Sequence, residues 1–186
     1  MKRITLLCFL ILTLNAYDYN FFFQKVGNYF NIEPLIIKTI AIEESGISPN
    51  KINVNIKHNN SYYKLINFLK KHNIAYKQHK KQMVSFSINK KNYIAILNFL
   101  NSNRYSFDIG LMQINNFHAK TFFMQKLLLQ NPFYNIYMGS KILRECFDKS
   151  KDAYQTISCY NSGSPYKIRK TYLKNFFEIF KKIKKS

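Results

Sequence analysis

Tryptophan is missing altogether, and glycine (five) and proline (four) are scarce. So little of either excludes collagen-like and Gly/Pro-rich low-complexity chains, and there is no long heptad run to suggest a coiled coil. Acid is short as well: nine Asp and Glu stand against 29 Lys and Arg, a formal charge of +20. The four histidines, His58, His72, His79 and His118, are scattered without ligand spacing, so no metal site and no cofactor are expected. No segment reaches the 18 uninterrupted apolar residues of a membrane-spanning helix, so no stable membrane span is expected. What the chain does have is 186 residues, 47% hydrophobic and 17% aromatic. That supports one domain with a real core and excludes wholesale disorder.

A field of +20 favours an anionic partner: nucleic acid, a membrane surface or an acidic wall polymer. The other reading is compositional. Lys, Asn, Ile, Phe and Tyr dominate, as AT-rich codons would produce, and many lysines fall in solvated positions such as Lys80-Lys81, Lys90-Lys91 and Lys181 to Lys185. No nucleic-acid-binding motif is present, so no nucleic-acid partner is expected.

The N-terminus reads as a secretory signal: Lys2 and Arg3, a largely apolar run from Ile4 to Leu14, then the small residue Ala16. Eleven such residues rise only about 16 Å as a helix, against about 30 Å of bilayer core. Cleavage near Ala16 would leave an exported chain, 17–186, in which only Cys146 and Cys159 remain. Two cysteines in an oxidising compartment suggest one disulfide between successive helices; the alternative is two small buried thiols.

Periodicity predicts helices over 17–31 and from Leu35 to Ser45, with Asn31 as candidate N-cap, Glu33 and Pro34 in the first turn and Gly46 as the stop. Further helices are expected near 61–72, at Tyr93–Leu100, and at about 119–130, 134–148, 151–160 and 168–183. Met83 to Ile88 alternates with period two and predicts a strand, paired with 74–79 across a turn at Lys80-Lys81. There is no strand–helix alternation, so a parallel α/β sheet is excluded. The expected class is mainly α (α+β), with one small hairpin.

Glu44 shares a helical face with Ile37, Ile40 and Ala41, an apolar setting. Burial there would raise its pKa and make it a general acid at neutral pH. Glu43 has Ile36, Thr39 and Ile40 at the same offsets. One threonine does not decide between the two acids, and a glutamate at a helix C-terminus can also simply reach water around the rim.

Around this acid stands an ordered set of landmarks. They are Glu44-Ser45-Gly46, Ile52-Asn53-Val54-Asn55, Ser106-Phe107-Asp108-Ile109-Gly110-Leu111-Met112-Gln113-Ile114-Asn115, Asn131-Pro132 with Asn135-Ile136 and Gly139, and Ser158-Cys159-Tyr160-Asn161-Ser162-Gly163. The set resembles the lytic transglycosylases with a goose-lysozyme-like catalytic domain, most closely the single-domain group found with secretion, conjugation and pilus machines. The resemblance covers about 20–55 and 93–177; residues 56–92 match none of the landmarks and read as an insertion.

The resemblance implies a lysozyme-like helical domain acting on peptidoglycan glycan strands, with components of an envelope machine as partners. It implies that Glu44, the acid before serine, is catalytic. It places Ser45 near the substrate's N-acetyl group, and makes Gly110, Leu111, Met112, Gln113 and Asn115 a substrate-binding wall. Tyr160 and Asn161 approach the acid from the opposite side, with the tyrosine hydroxyl placed to bond it. Ordinary glycosidases use two carboxylates; the family implies one, acting first as acid and then as base, to leave a 1,6-anhydro end. Two alternatives remain in view: a hydrolysing lysozyme in which Asp108 assists water, and a silent wall-binding or nucleic-acid-binding assembly factor.

Overall fold

The structure, a computed structural model, describes residues 18–79 and 83–185. The expected signal (1–16) and the Lys80-Lys81 turn lie outside the described residues. The elements run α1 (Tyr19–Phe30), α2 (Pro34–Ser45), β1 (Lys51–Asn55), α3 (Asn59–Lys71), β2 (Tyr76–His79), β3 (Met83–Ser87), a 3-10 turn (Lys90–Asn92), α4 (Tyr93–Ser102), β4 (Ser106–Ile109), β5 (Ile114–Asn115), α5 (Phe122–Gln130), α6 (Pro132–Lys149), α7 (Ala153–Ser162) and α8 (Lys170–Lys184). The expected class, mainly helical with a small antiparallel sheet, is what is observed. Among the described residues, no helix is long and apolar enough to cross a membrane.

The helix ends follow local chemistry, with one correction. Asn31 is not the N-cap of α2. It sits in the left-handed region (φ 52°) and closes α1, its backbone N–H reaching Asn28 and Gly27 carbonyls. Asparagine tolerates that conformation better than most residues do. α2 instead starts at Pro34, whose missing N–H costs nothing at a first-turn position. Gly46, at φ 67°, ends α2 as expected and leaves Glu44 in its last turn. Asp18, Thr121, Asn131 and Asp152 each accept a backbone N–H at the start of α1, α5, α6 and α7.

The sheet is larger than a hairpin. Its order is β2-β3-β1-β4-β5, with every neighbouring pair antiparallel. The expected β2–β3 hairpin is present, but it adds to the edge of β1, where Lys51 pairs with Ser87 and Asn55 with Met83. Alternation gives the sheet two unlike faces. Ile52, Val54, Val84, Phe86, Phe107 and Ile109 are buried and belong to one apolar cluster with Leu65 and Leu69 of α3 and Ile96, Leu97 and Leu100 of α4. The other face carries Asn53, Asn55, Ser85, Asp108 and Asn115. Segment 56–92 thus supplies α3, β2, β3 and the 3-10 turn, and is built into both sheet and core.

α6 and α7 are joined by the Cys146–Cys159 disulfide, with Cα atoms 5.7 Å apart. Ser158 then fixes the next turn: its hydroxyl donates to the Lys167 carbonyl (2.7 Å) and accepts from the Arg169 N–H (2.6 Å). That pins the entry of α8, which runs beside α2 and carries Tyr172 and Asn175 onto the two glutamates.

Candidate active site

The polar sheet face, the C-terminal end of α2, the end of α7 and the start of α8 enclose a cleft of about 670 Å³. Glu44 and Glu43 form one part of its wall, and Asn53, Asn55, Asp108 and Asn115 the sheet side. Gln113, Tyr160, Asn161 and Tyr172 also line it.

Glu44 is half-buried. Its Oε1 accepts the Tyr172 hydroxyl at 2.8 Å, and the Asn161 side chain also hydrogen-bonds it. Loss of solvent pushes the Glu44 carboxyl up to about 7; the charges of Asp108 and Glu43 push the same way, while the Tyr172 and Asn161 hydrogen bonds partly offset them. Burial and the nearby Glu44 charge push the Tyr172 phenol far above its ordinary range, so it keeps its proton and remains a donor. Glu43 has a different partner: it accepts from Asn175 Nδ2 at 2.9 Å.

Asp108 faces the same cleft. Its carboxylate accepts from Asn115 Nδ2 (2.7 Å) and Asn55 Nδ2 (3.4 Å). Burial raises its pKa and the two amides hold it back. The cleft therefore contains two desolvated carboxyl groups, Glu44 and Asp108, each raised above its ordinary range by burial.

The landmark residues divide by position. Glu44, Gln113, Asn115, Tyr160 and Asn161 line the cleft. Ser45, Gly110, Leu111 and Met112 do not. Ser45 is buried, its hydroxyl donating to the Ala41 carbonyl (3.1 Å) and accepting from the Ser48 N–H (3.0 Å), which closes the end of α2. Leu111 and Met112 are fully buried, 0% exposed, and hold the loop from beneath. Gly110 has φ 78°, and a Cβ there would strike the Asn135 side chain.

The Asn131-Asn135-Gly139 landmark is the support for that loop. Asn131 caps α6 by accepting from the Tyr134 N–H at 3.0 Å. Asn135, fully buried, accepts the Met112 N–H (2.8 Å) and donates to the Ile109 (2.9 Å) and Leu128 (3.2 Å) carbonyls. Gly139 leaves room for Met112; an added Cβ would lie 2.6 Å from the methionine's own Cβ. The loop ends on Gln113, left-handed at φ 48°. Its Nε2 donates to the Gly110 (2.7 Å) and Lys51 (3.3 Å) carbonyls. Its Oε1 is buried with no hydrogen-bond partner among the described residues, an acceptor on the cleft wall.

Tyr160 does not bond the acid. Its hydroxyl donates to the Met112 carbonyl at 2.6 Å, tying α7 to the loop. The acid takes its tyrosine from α8 instead. Sequence reasoning missed Tyr172. The one available signal was its place in the buried stripe of α8 with Leu173 and Phe176, since a buried tyrosine hydroxyl needs a partner.

The family described as Transglycosylase SLT domain matches residues 21–183. The chain belongs to this lytic transglycosylase family. It is 36% identical to invasion protein IagB of Salmonella typhimurium over 86 residues, 42% of this chain and 54% of IagB. The chain thus spans about half the length of the IagB relatives it matches. Longer matches are a peptidoglycan-binding-like protein of Escherichia coli O157:H7, 27% identical over 170 residues (87% of this chain, 77% of the relative), and protein IpgF of Shigella flexneri, 24% identical over 163 residues (86% and 76%). No solved structure matches.

Proposed function

We propose that the protein is a peptidoglycan lytic transglycosylase that cleaves the β-1,4 bond between N-acetylmuramic acid and N-acetylglucosamine. The observation that carries this reading is Glu44: a carboxyl shifted to about 7, bonded by Tyr172, on the wall of a polar cleft. A group with that pKa populates both its protonated and its ionised form near neutral pH, so it can give a proton and take one back.

The protonated Glu44 donates to the glycosidic oxygen as the bond to the muramyl anomeric carbon breaks. The substrate's own acetamido oxygen meets the positive charge that develops there. Glu44, now ionised, takes the proton from the muramyl 6-hydroxyl as that oxygen closes on the anomeric carbon. The acid is restored, a 1,6-anhydro end forms and no water is consumed. Tyr172 and Asn161 stabilise the ionised form between the two transfers. The unpartnered Gln113 Oε1 offers an acceptor to a sugar hydroxyl or amide.

The N-terminal charge and apolar run support export, which in a Gram-negative cell is to the periplasm. The +20 charge would hold the enzyme near an anionic wall. The landmark set resembles that of the single-domain group found with secretion, conjugation and pilus machines, which supports a role in opening the wall for an envelope-spanning machine.

A second reading is favoured by Asp108. A second carboxylate in the cleft could help a water attack, making the protein a hydrolysing muramidase. Mass spectrometry of digested sacculi separates the readings. Muropeptides lighter by one water are expected. Full-mass reducing ends would establish the hydrolase, and release of nothing a wall-binding factor.

A further inference from the structure

The polar face of the sheet does not stop at the cleft. Its pairing aligns one side chain from each strand in a single row: Lys77 on β2 opposite Ser85 on β3, Ser85 opposite Asn53 on β1, Asn53 opposite Asp108 on β4, and Asp108 opposite Asn115 on β5. Directly paired residues project from the same face. The row therefore runs from the carboxyl groups of the cleft onto the hairpin contributed by segment 56–92. Asn53, Asp108 and Asn115 line the cleft; Ser85 and Lys77 line a shallower depression of about 370 Å³ that also takes in Lys51 and Ser87.

This outer depression is cationic. Lys51 reaches across the end of α2, its Nζ donating to the Glu44 carbonyl at 3.0 Å. It is close enough to Lys77 for that charge to add to burial in lowering its pKa, with Glu44 opposing. Two ammonium groups are thus placed together with no carboxylate among the side chains lining the depression. Between them and Asp108 lies Asn53 Oδ1, buried without a hydrogen-bond partner among the described residues. An acceptor left unmade in a buried place costs stability unless a donor arrives.

We propose that segment 56–92 extends the groove into a subsite for a carboxylate of the peptide stem, held by Lys77 and Lys51 with the exposed Ser87 hydroxyl, while Asn53 accepts from an amide or hydroxyl of the adjoining sugar. This inference rests on the glycan-cleaving reading of the cleft and names the part of the substrate that the hairpin recognises. Lactyl-linked peptides project from alternate sugars of the strand and carry free carboxylates, so a strand lying along the row brings one to the two lysines. The hairpin is then a selectivity element for stem-bearing wall, and the sheet face is one continuous binding surface.

The test compares intact sacculi with glycan strands stripped of their stems by amidase. Lys77 is exposed, so Lys77→Glu leaves the core intact. Lys64→Glu, exposed on α3, carries the same charge change away from the row. Anhydro-product release is measured on both substrates, and co-sedimentation with both is measured in a Glu44→Gln background. Lys77→Glu is expected to lower the ratio of intact to stripped, in rate and in binding, about fivefold or more, through KM and not kcat; Lys64→Glu leaves the ratio unchanged. An unchanged ratio for Lys77→Glu in the binding assay, or an equal fall with Lys64→Glu, overturns the subsite. Absence of anhydro product from the unmodified protein on both substrates instead sinks the reading of the cleft.

Discussion

The Tyr172 hydroxyl donates to Glu44 Oε1 at 2.8 Å, across 128 residues of sequence. The bond favours the ionised glutamate, opposing the burial that favours the neutral one. Tyr172→Phe keeps the ring and removes the donor. Glu44 should then hold its proton more tightly, moving the alkaline limb of the pH–rate profile up by about one unit. The maximal rate should drop several-fold, because the ionised form between the two proton transfers loses its partner. A rate loss without movement of that limb would limit Tyr172 to packing.

Glu44→Gln should abolish anhydro-product release, by at least about a thousandfold, since one group serves as both acid and base. Glu43→Gln, which alters a carboxylate bonded to Asn175, should leave most of the rate. The same Glu44 variant should be more stable than the parent at alkaline pH. Below about pH 4.5 the glutamate is protonated in both folded and unfolded chains; between 4.5 and about 7 only the folded chain keeps the proton. Folding stability therefore falls as pH rises through that window, by on the order of 3 kcal/mol, and is flat above it. Denaturant titrations of parent and Glu44→Gln at pH 4 and pH 8 should diverge at the higher value, and parallel titrations would contradict the raised pKa.

Asp108 adds negative charge beside Glu44 and so raises its pKa. Asp108→Asn should shift the alkaline limb downward, opposite in sign to Tyr172→Phe. It should leave the product unchanged as the 1,6-anhydro form. A switch in the fraction of reducing ends on this substitution would show that the aspartate governs the fate of water in the cleft.

Much of the helical plan was legible because it rests on long amphipathic periods. The strands were harder. β1 alternates Ile52 and Val54 with Lys51, Asn53 and Asn55, but five residues rich in asparagine give a weak strand signal, and β5 is two residues long. The site was legible where landmarks mark it, yet landmarks do not say what touches substrate. Met112 and Ser45 stand in conspicuous motifs and turn inward, because a loop held at Gly110 and Gln113 needs an anchor beneath it and a helix ending at Gly46 needs a closed last turn. Tyr172 lies in no landmark. Its role depends on how α8 docks on α2, a contact between distant parts of the chain.

The anchor beneath the loop can be tested at Gly139. An alanine Cβ there would lie 2.6 to 2.9 Å from three Met112 side-chain atoms, so the methionine must move. Gly139→Ala should cost about 1–3 kcal/mol through overpacking. Because the Met112 carbonyl receives the Tyr160 hydroxyl, the shift should also disturb the wall that carries Gln113. KM is expected to rise more than kcat falls, with the pH limb unmoved. Full activity together with unchanged Tm would show that Met112 is free to relax without moving the wall.

The disulfide acts on the α7 side of the cleft. Cys146–Cys159 closes a 13-residue separation, and by chain entropy such a loop is worth about 3 kcal/mol. Cys159 stands immediately before Tyr160 and Asn161, which face the cleft, so its tether to α6 also holds the α7 end in place. Both thiols replaced by alanine should lower Tm by several degrees and reduce activity more than Tm at the assay temperature accounts for. Reduction of the parent should reproduce both effects and reoxidation should reverse them. If activity at a temperature well below Tm is untouched in the double variant, the bond stabilises the fold without positioning the Tyr160 side of the cleft.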